Sequence, residues 1–330
     1  MYEVDFIRRL ESGLKSSLSL WSISDQTQLS LLTVSENATF RGTETGLGHD
    51  IVFRVHRPHY HTREEILAEL AWIDALRQGR TVETPRPIPL RDGSLVAEFD
   101  DEGMTRHVVA FEFVAGREPA PGDDLVGWFA KLGAIHATLH GHAKTWRRPD
   151  AFVRKVWNFN SMLGNAPLWG DWRDALGLTV EGREILSRTT ALLERQLAEI
   201  GEGPDDFGLV HADLRLANLL VEGDRMALID FDDCGFSWFL YDFASAISFI
   251  EHEDYIPALE AAWIEGYRSV APLSEARAEQ LPIFVMLRRI LLTAWIASHR
   301  ETETAQLLGD AYTQGTVALA YDFLERYRKG

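Results

Sequence analysis

Cysteine is nearly absent: Cys234 stands alone among 330 residues, which excludes an intrachain disulfide and a thiolate zinc site. A reducing, cytoplasmic setting is expected. Long apolar runs are missing too, with no stretch reading as the roughly 18 residues of a membrane helix, so a soluble protein is expected. The opening "MYEVDFIRRLESGLKSSLSLW" intersperses charges among its apolar residues and has no small-residue cleavage site, unlike a secretory signal. It reads instead as an amphipathic helix with Phe6, Ile7, Leu10, Leu14 and Leu18 inward. Positive charge is in deficit, 33 Lys and Arg against 50 Asp and Glu, for a net charge of −17. That field repels nucleic acid and anionic membranes and favours cationic or zwitterionic small molecules. A polyanion would need metal ions and locally placed donors. No nucleic-acid or membrane partner is expected, and the chain is expected to be a monomer or homodimer that meets small molecules.

What is present is a globular composition, 46% hydrophobic and 25% charged, long enough for two lobes. "LSLLTV", "ATFRG" and "DIVFRVHR" read as short antiparallel strands. "TREEILAELAWIDALRQG" reads as a helix capped by Thr62 with Glu65 three residues on, apolar at Ile66, Leu70, Ile73 and Leu76, and ended by Gly79. After the proline-punctuated "TPRPIPL", "LVAEFD" and "HVVAFEFV" form a hairpin around "DEGMTR". "AGREPAPGDD" reads as a linker. Beyond it, "DLVGWFAKLGAIHATLHGHA" and "VEGREILSRTTALLERQLAEI" are long helices, and helical periods return after Glu253. The fold class is therefore α+β, with a small lobe over residues 1–114, mostly antiparallel sheet with one main helix, and a larger, mostly helical lobe over 115–330.

One stretch carries chemistry. "LVHADLRLANLLVEGDRMALIDFDD", Leu209 to Asp233, sets acids in loops beside small apolar strands, with a turn at Gly223-Asp224. Buried carboxylates without partners are costly. A Mg²⁺ ion, which favours a few carboxylate or amide oxygens plus phosphate oxygens and water, would compensate them. Asn218 offers an amide oxygen and Asp230 a carboxylate, while Asp213 stands beside them, able to accept a proton from an attacking hydroxyl. The spacing His-x-Asp-x-x-x-x-Asn followed by an Asp at a strand end is that of a phosphotransfer loop.

On these residues, with "SENATFRG", "RVHRP", "AELAWIDAL" and "YDFASA", the chain resembles the aminoglycoside phosphotransferase and choline kinase superfamily. Within it, the resemblance is to the homoserine kinase type II and stress-response kinase A group. It implies a bilobal, protein-kinase-like fold with ATP and Mg²⁺ in a cleft. By motif position it implies Asp213 as catalytic base, Asn218 and Asp230 as metal ligands, and Asp242 as the aspartate supporting the loop. His211, with no arginine after it, is expected to orient the loop, and this form favours small substrates. Asp232 stays open: at period two from Asp230 it would share a strand face with it and join the metal or bind a cationic acceptor, or it is a solvated loop acid.

For the nucleotide, Arg54 occupies the place of the usual phosphate-binding lysine, with Glu69 as its helix partner and Glu65 as the other possibility. There is no Gly-x-Gly-x-x-Gly; the turn holding Ser35, Asn37 and Thr39 is expected to cover the phosphates. Adenine is expected at the backbone of Glu112, Phe113 and Val114, where Gly116 permits a bend. For the acceptor, Trp157, Trp169 and Trp238 offer aromatic faces for an amine, though packing explains such residues as well. Arg288 and Arg289 would reach a substrate carboxylate or a loop acid. His136 and His140 are read as packing histidines rather than a metal pair.

The expected activity is an ATP-dependent kinase of a hydroxyl on a small amine- or amino-acid-like metabolite. A Ser/Thr protein kinase of the stress-response kinase A type is the alternative, weakened by the missing Ala-Pro-Glu segment. A nucleotide-binding regulator without turnover is another, weakened by the intact Asp213, Asn218 and Asp230.

Overall fold

The computed structural model describes residues 4–35, 37–120 and 122–328. Glu36, inside the expected phosphate turn, and Pro121, inside the expected linker, lie outside them, as do the first three residues of the expected opening helix.

In chain order the elements are helix α1 (Val4–Ser17), strands β1 (Gln28–Val34), β2 (Ala38–Thr43) and β3 (Ile51–Val55), helix α2 (Arg63–Gln78), and strands β4 (Ala97–Asp101) and β5 (Met104–Glu112). Helices α3 (Leu125–Thr145), α4 (Phe159–Met162) and α5 (Val180–Ile200) follow, then strands β6 (Phe207–Val210), β7 (Leu219–Glu222), β8 (Arg225–Leu228) and β9 (Gly235–Trp238). Helices α6 (Tyr241–Ala246), α7 (Ile256–Arg268), α8 (Glu275–Ala278), α9 (Leu281–Ser298) and α10 (Glu303–Tyr327) complete the chain. These form two compact units. The first holds the chain to Arg117 together with Arg147–Arg154 and Leu220–Asp232, and the second holds the rest.

The first unit is an antiparallel sheet in the order β1-β2-β3-β5-β4. Alternation puts Phe40, Phe53 and Val108 on one face, where Leu10, Leu14 and Leu18 from the α1 side seal the core. Helix α2 starts at the expected capping box, with the Thr62 side chain accepting from Glu65 N and the Glu65 carboxylate from Thr62 N, and it ends at Gly79. Strands β4 and β5 run closer to their turn than expected, leaving Glu102 and Gly103 as a two-residue tip with φ of 57° and 83°. The start of the expected linker is paired: Arg117 and Val221 exchange N–H···O bonds of 3.1 and 2.8 Å. Gly116, at φ 144°, is required there, since a Cβ would sit 2.9 Å from Leu220 Cβ.

In the second unit, Asp124 caps α3 through Gly127 N at 2.9 Å, and α3 packs along α7. At Gly266 the helices approach so closely that a Cβ would lie 1.8 Å from Ala130 O. Strand β6 pairs antiparallel with β9, Phe207 opposite Trp238 and Val210 opposite Gly235. Strand β9 was not anticipated. One further expectation fails: the helical stretch Glu275–Ser298 is long and apolar enough, by length and composition, to cross a membrane, and 78% of its most apolar window is buried inside the protein. Within it, α9 carries only Arg288 and Arg289 as charged residues, and both are buried.

Candidate functional site

The second unit holds the His-Ala-Asp loop. After β6, Ala212 takes a left-handed φ of 67°, which a non-glycine residue adopts only where its surroundings hold it. They do: Asp242 Oδ1 accepts from Ala212 N at 2.8 Å, and Asp242 Oδ2 accepts from His211 N at 3.4 Å. Asp242 is itself gripped by His140, whose Nε2 lies 3.0 Å from Oδ2 and whose Nδ1 lies 3.0 Å from Tyr267 OH. Burial pushes the Asp242 carboxyl up, but the His140 hydrogen bond and the nearby histidines bring it down to about 2. His211 is fully buried, and its Nδ1 accepts from Asp213 N at 3.4 Å.

Asp213 is held at both oxygens. Asn218 Nδ2 donates to Oδ2 at 3.0 Å and to the Asp213 carbonyl at 2.8 Å, which turns the amide oxygen of Asn218 away from Asp213. Arg288 Nη2 donates to Oδ1 at 2.6 Å. Burial lowers the Arg288 pKa, yet Tyr241 and Asp213 together raise it above the ordinary arginine value. The sequence expectation that Arg288 reaches an acid is met by the loop aspartate. Arg289 is equally committed, to Glu251 Oε2 at 2.5 Å and Thr316 Oγ1 at 3.0 Å, with its guanidinium 3.6 Å from the Tyr312 ring centre.

The first unit holds Arg54, Glu69, Asp230 and Asp232. Arg54 Nη2 donates to Glu69 Oε1 at 2.7 Å and Oε2 at 2.6 Å, so the helix partner is Glu69, while Glu65 serves the α2 cap. Arg54 Nη1 lies 3.4 Å from Asp230 Oδ1 and 3.7 Å from Asp232 Oδ1. Burial opposes the Arg54 charge, but Glu69, then Asp232 and Asp230, raise its pKa well above the ordinary value.

Asp230 and Asp232 do not share a strand face. Strand β8 ends at Leu228, Asp230 is left-handed at φ 62° with its side chain 47% exposed, and Asp232 is buried. Asp232 Oδ2 accepts from Asn37 Nδ2 at 2.7 Å and lies 3.3 Å from His61 Nε2, while Oδ1 lies 3.6 Å from His56 Nδ1. Burial raises the Asp232 carboxyl, but His61 and Arg54 hold it well below the usual carboxylate range. Burial and Arg54 keep His56 neutral. The Asp232 backbone carbonyl also accepts from Arg154, whose Nη1 donates to Glu65 O at 2.8 Å. The burial of Asp232 overturns the reading as a solvated loop acid.

The expected phosphate turn is shorter than the sequence suggested. Ser35 N donates to Asn37 O at 3.0 Å, Thr39 already lies in β2 opposite Arg54, and the Asn37 side chain turns inward to Asp232 and Arg57 N. At the expected adenine strip, Glu112 N donates to Arg86 O and Phe113 N to Asp50 O, so two of its three donors are already used. Among the aromatics, Trp157 donates to Asp233 O at 2.8 Å and packs on Trp169, while Trp238 donates to Gly201 O at 2.7 Å and packs on Phe207 and Phe284. All three are buried. Trp157 and Trp238 are core residues; Trp169 has the Arg288 guanidinium 5.2 Å from its ring centre. His136 Nδ1 accepts from Trp263 Nε1 at 2.8 Å, as a packing histidine would. No group of three or more His, Cys, Asp or Glu among the described residues could hold a metal ion.

Sequence reasoning missed His56, His61 and Arg154 around Asp232, and Ser248 around Arg288. The only signal was the run of polar residues in "RVHRPHYH", where His56 follows Arg54 by two positions and so shares its strand face.

The family model described as the phosphotransferase enzyme family matches residues 31–273. The structure of the microcompartment-associated aminopropanol kinase is 43% identical, covers 96% of this chain and 98% of its own, and has a TM-score of 0.89. The amicoumacin kinase hAmiN, solved with AMP-PNP, Ca²⁺ and Ami, is 21% identical over 99% of this chain and 97% of its own, with a TM-score of 0.78, a likeness of fold. Homoserine kinase of Gluconobacter oxydans is 29% identical over 223 residues, 65% of this chain and 66% of that protein. The α+β, protein-kinase-like fold expected from the sequence is the one these structures share.

Proposed function

The chain belongs to the phosphotransferase enzyme family and is a phosphotransferase with an alcohol acceptor, and from that premise we propose an ATP- and Mg²⁺-dependent kinase of a small amino alcohol. The observation that carries the reading is Asp213, a carboxylate fixed at both oxygens, by Asn218 and Arg288, on a loop anchored by Asp242. In this reading Asp213 takes the proton of the acceptor hydroxyl as that oxygen bonds to the γ-phosphorus and the bond to the β-phosphate oxygen breaks, releasing ADP. Phosphoryl transfer of this kind rests on positioning and charge stabilisation more than on covalent chemistry.

The donor set suits Mg²⁺. By motif position Asn218 and Asp230 are the residues proposed to serve Mg²⁺, an amide oxygen and a carboxylate of the kind that ion takes alongside phosphate oxygens and water. When bound, it supplies charge neutralisation to the β and γ phosphates. Arg54, steadied by Glu69, keeps Nη1 in long contacts that a phosphate oxygen can replace. Val114 N–H is the donor for the adenine edge. Asp232 is left out of the proposed ligand set because its Oδ2 already accepts from Asn37 and its side chain is buried.

The acceptor class is the finer point. A substrate carboxylate would need a cation, and the two buried arginines of α9 are both committed to protein acids, Arg288 to Asp213 and Arg289 to Glu251. That favours an amino alcohol over a hydroxy amino acid. A 43% identical structure is of an aminopropanol kinase, and a net charge of −17 attracts an amine.

The test is ATP consumption with Mg²⁺ against amino alcohols, hydroxy amino acids, aminoglycosides, sugars and a generic protein, with Asp213→Ala as the blank. Turnover of an amino alcohol, lost in the variant, is expected. Phosphorylation of protein alone would point to a protein kinase instead, and turnover of homoserine at equal efficiency would remove the argument from the arginines.

A further inference from the structure

Arg288 does more than neutralise a neighbouring acid. Its Nη2 donates to Asp213 Oδ1 at 2.6 Å while its Nη1 donates to the Ala212 carbonyl at 3.2 Å, so one guanidinium grips both the carboxylate and the peptide that precedes it. That peptide belongs to the left-handed Ala212. The Ala212 N–H is tied to Asp242 and the Ala212 C=O to Arg288, so the strained conformation is fixed from both ends. With Asn218 on Oδ2, rotation of the Asp213 carboxylate would cost one hydrogen bond or the other.

Arg288 is itself immobilised. Its side chain is 3% exposed, Nη1 also donates to Tyr241 OH at 2.9 Å, Nε donates to Ser248 Oγ at 3.1 Å, and the guanidinium lies 5.2 Å from the Trp169 ring centre. The planar fork suits this task, because three nitrogens are used in fixed directions and a lysine ammonium could replace only one of them. The expense of burying a charge is met by its partners, and such a residue is kept for a geometry that apolar packing cannot supply.

We propose that Arg288 is the positioning residue of Asp213, setting the direction in which the carboxylate meets the acceptor hydroxyl, with Tyr241 and Ser248 as its supports. This rests on the kinase reading above. Arg288 acts through Asp213 and need not touch the acceptor, so its removal changes the rate of the bound complex and leaves ATP affinity alone.

Three variants form a series. Tyr241→Phe removes one support, Arg288→Lys keeps the charge without the fork, and Arg288→Ala removes both. After circular dichroism establishes that each is folded, kcat should fall in that order, a few-fold for the first and up to about 100-fold for Arg288→Lys, the scale of a misplaced reacting group. KM for ATP should stay near the wild-type value, and millimolar methylguanidine should restore part of the Arg288→Ala rate. Folded variants with wild-type kcat, or losses in KM for ATP alone, would overturn the proposal. A crystal structure of Arg288→Lys reads the same point without turnover: a shifted Asp213 carboxylate supports it, and one left in place overturns it even if no acceptor is known. A wild-type protein that turns over no acceptor, beside a shifted carboxylate in the variant, would sink the kinase reading and leave the positioning intact.

Discussion

Arg54 and Glu69 form a closed pair, with Arg54 Nη2 2.7 and 2.6 Å from the two oxygens of Glu69 and both side chains shielded from solvent. The pair joins β3 to α2, so its loss acts on the fold and on the nucleotide side together. Breaking such a pair from one side leaves an uncompensated buried charge, at about 3 to 5 kcal/mol. Glu69→Ala is therefore expected to lower the unfolding free energy by that amount, read as a lower urea midpoint with an unchanged m-value. Arg54→Lys should keep part of the ATP affinity, since it retains a charge. Unchanged affinity in Arg54→Ala by calorimetry would show that Arg54 does not meet phosphate.

Asp230 and Asp232 should separate cleanly. Asp230→Ala is expected to raise the Mg²⁺ concentration needed for half-maximal ATP binding, because its half-exposed carboxylate is the proposed ligand. Asp232→Asn removes the charge that faces His61, His56 and Arg54 and should lower stability by about 3 kcal/mol while leaving the Mg²⁺ dependence in place. The reverse pattern in paired titration and denaturation experiments would exchange the two assignments.

What was legible from the sequence was what local chemistry writes. The Thr62 and Glu65 capping box, the Gly79 stop and the His-Ala-Asp to Asn218 spacing each lie within a few residues, and each is where the residues alone put it. Strand β9 went unseen because "GFSW" is short and its partner β6 lies well before it in the chain. The burial of Asp232 was equally invisible: Asn37, which satisfies it, is 195 residues away, and a period-two argument presumed a strand that Asp230's left-handed backbone does not form. Arg288 stands 75 residues from Asp213. Its charge within an apolar helix signalled that it had a partner, and only the fold could say which.

Asp213→Ala should lower turnover by about 1000-fold, within the range for a positioned base, while ATP binding in the presence of Mg²⁺ stays within a few-fold of wild type. Steady-state kinetics paired with calorimetry read the two separately. If affinity and rate fall by the same factor, Asp213 serves nucleotide binding and the base must be sought elsewhere.

His136 predicts the acid response of the helical unit. It is fully buried between α3 and α7, and its Nδ1 accepts the Trp263 indole N–H at 2.8 Å, which a protonated ring nitrogen cannot do. Burial, only partly countered by Asp242, holds its pKa down to about 3 against an ordinary 6.5. Below pH 6.5 the unfolded chain therefore takes up a proton that the folded chain refuses. The stability contribution is complete above that pH and is lost by up to about 1.4 kcal/mol per pH unit until pH 3, where the folded ring also protonates. Asp242, held at about 2, acts later, losing its contribution between about pH 4 and 2. His136→Gln keeps an acceptor for Trp263 and removes the titration. Urea unfolding at pH 7, 6, 5 and 4 should accordingly give a shallower loss of stability in the variant than in the wild type, and parallel slopes would mean that His136 is protonated in the folded protein.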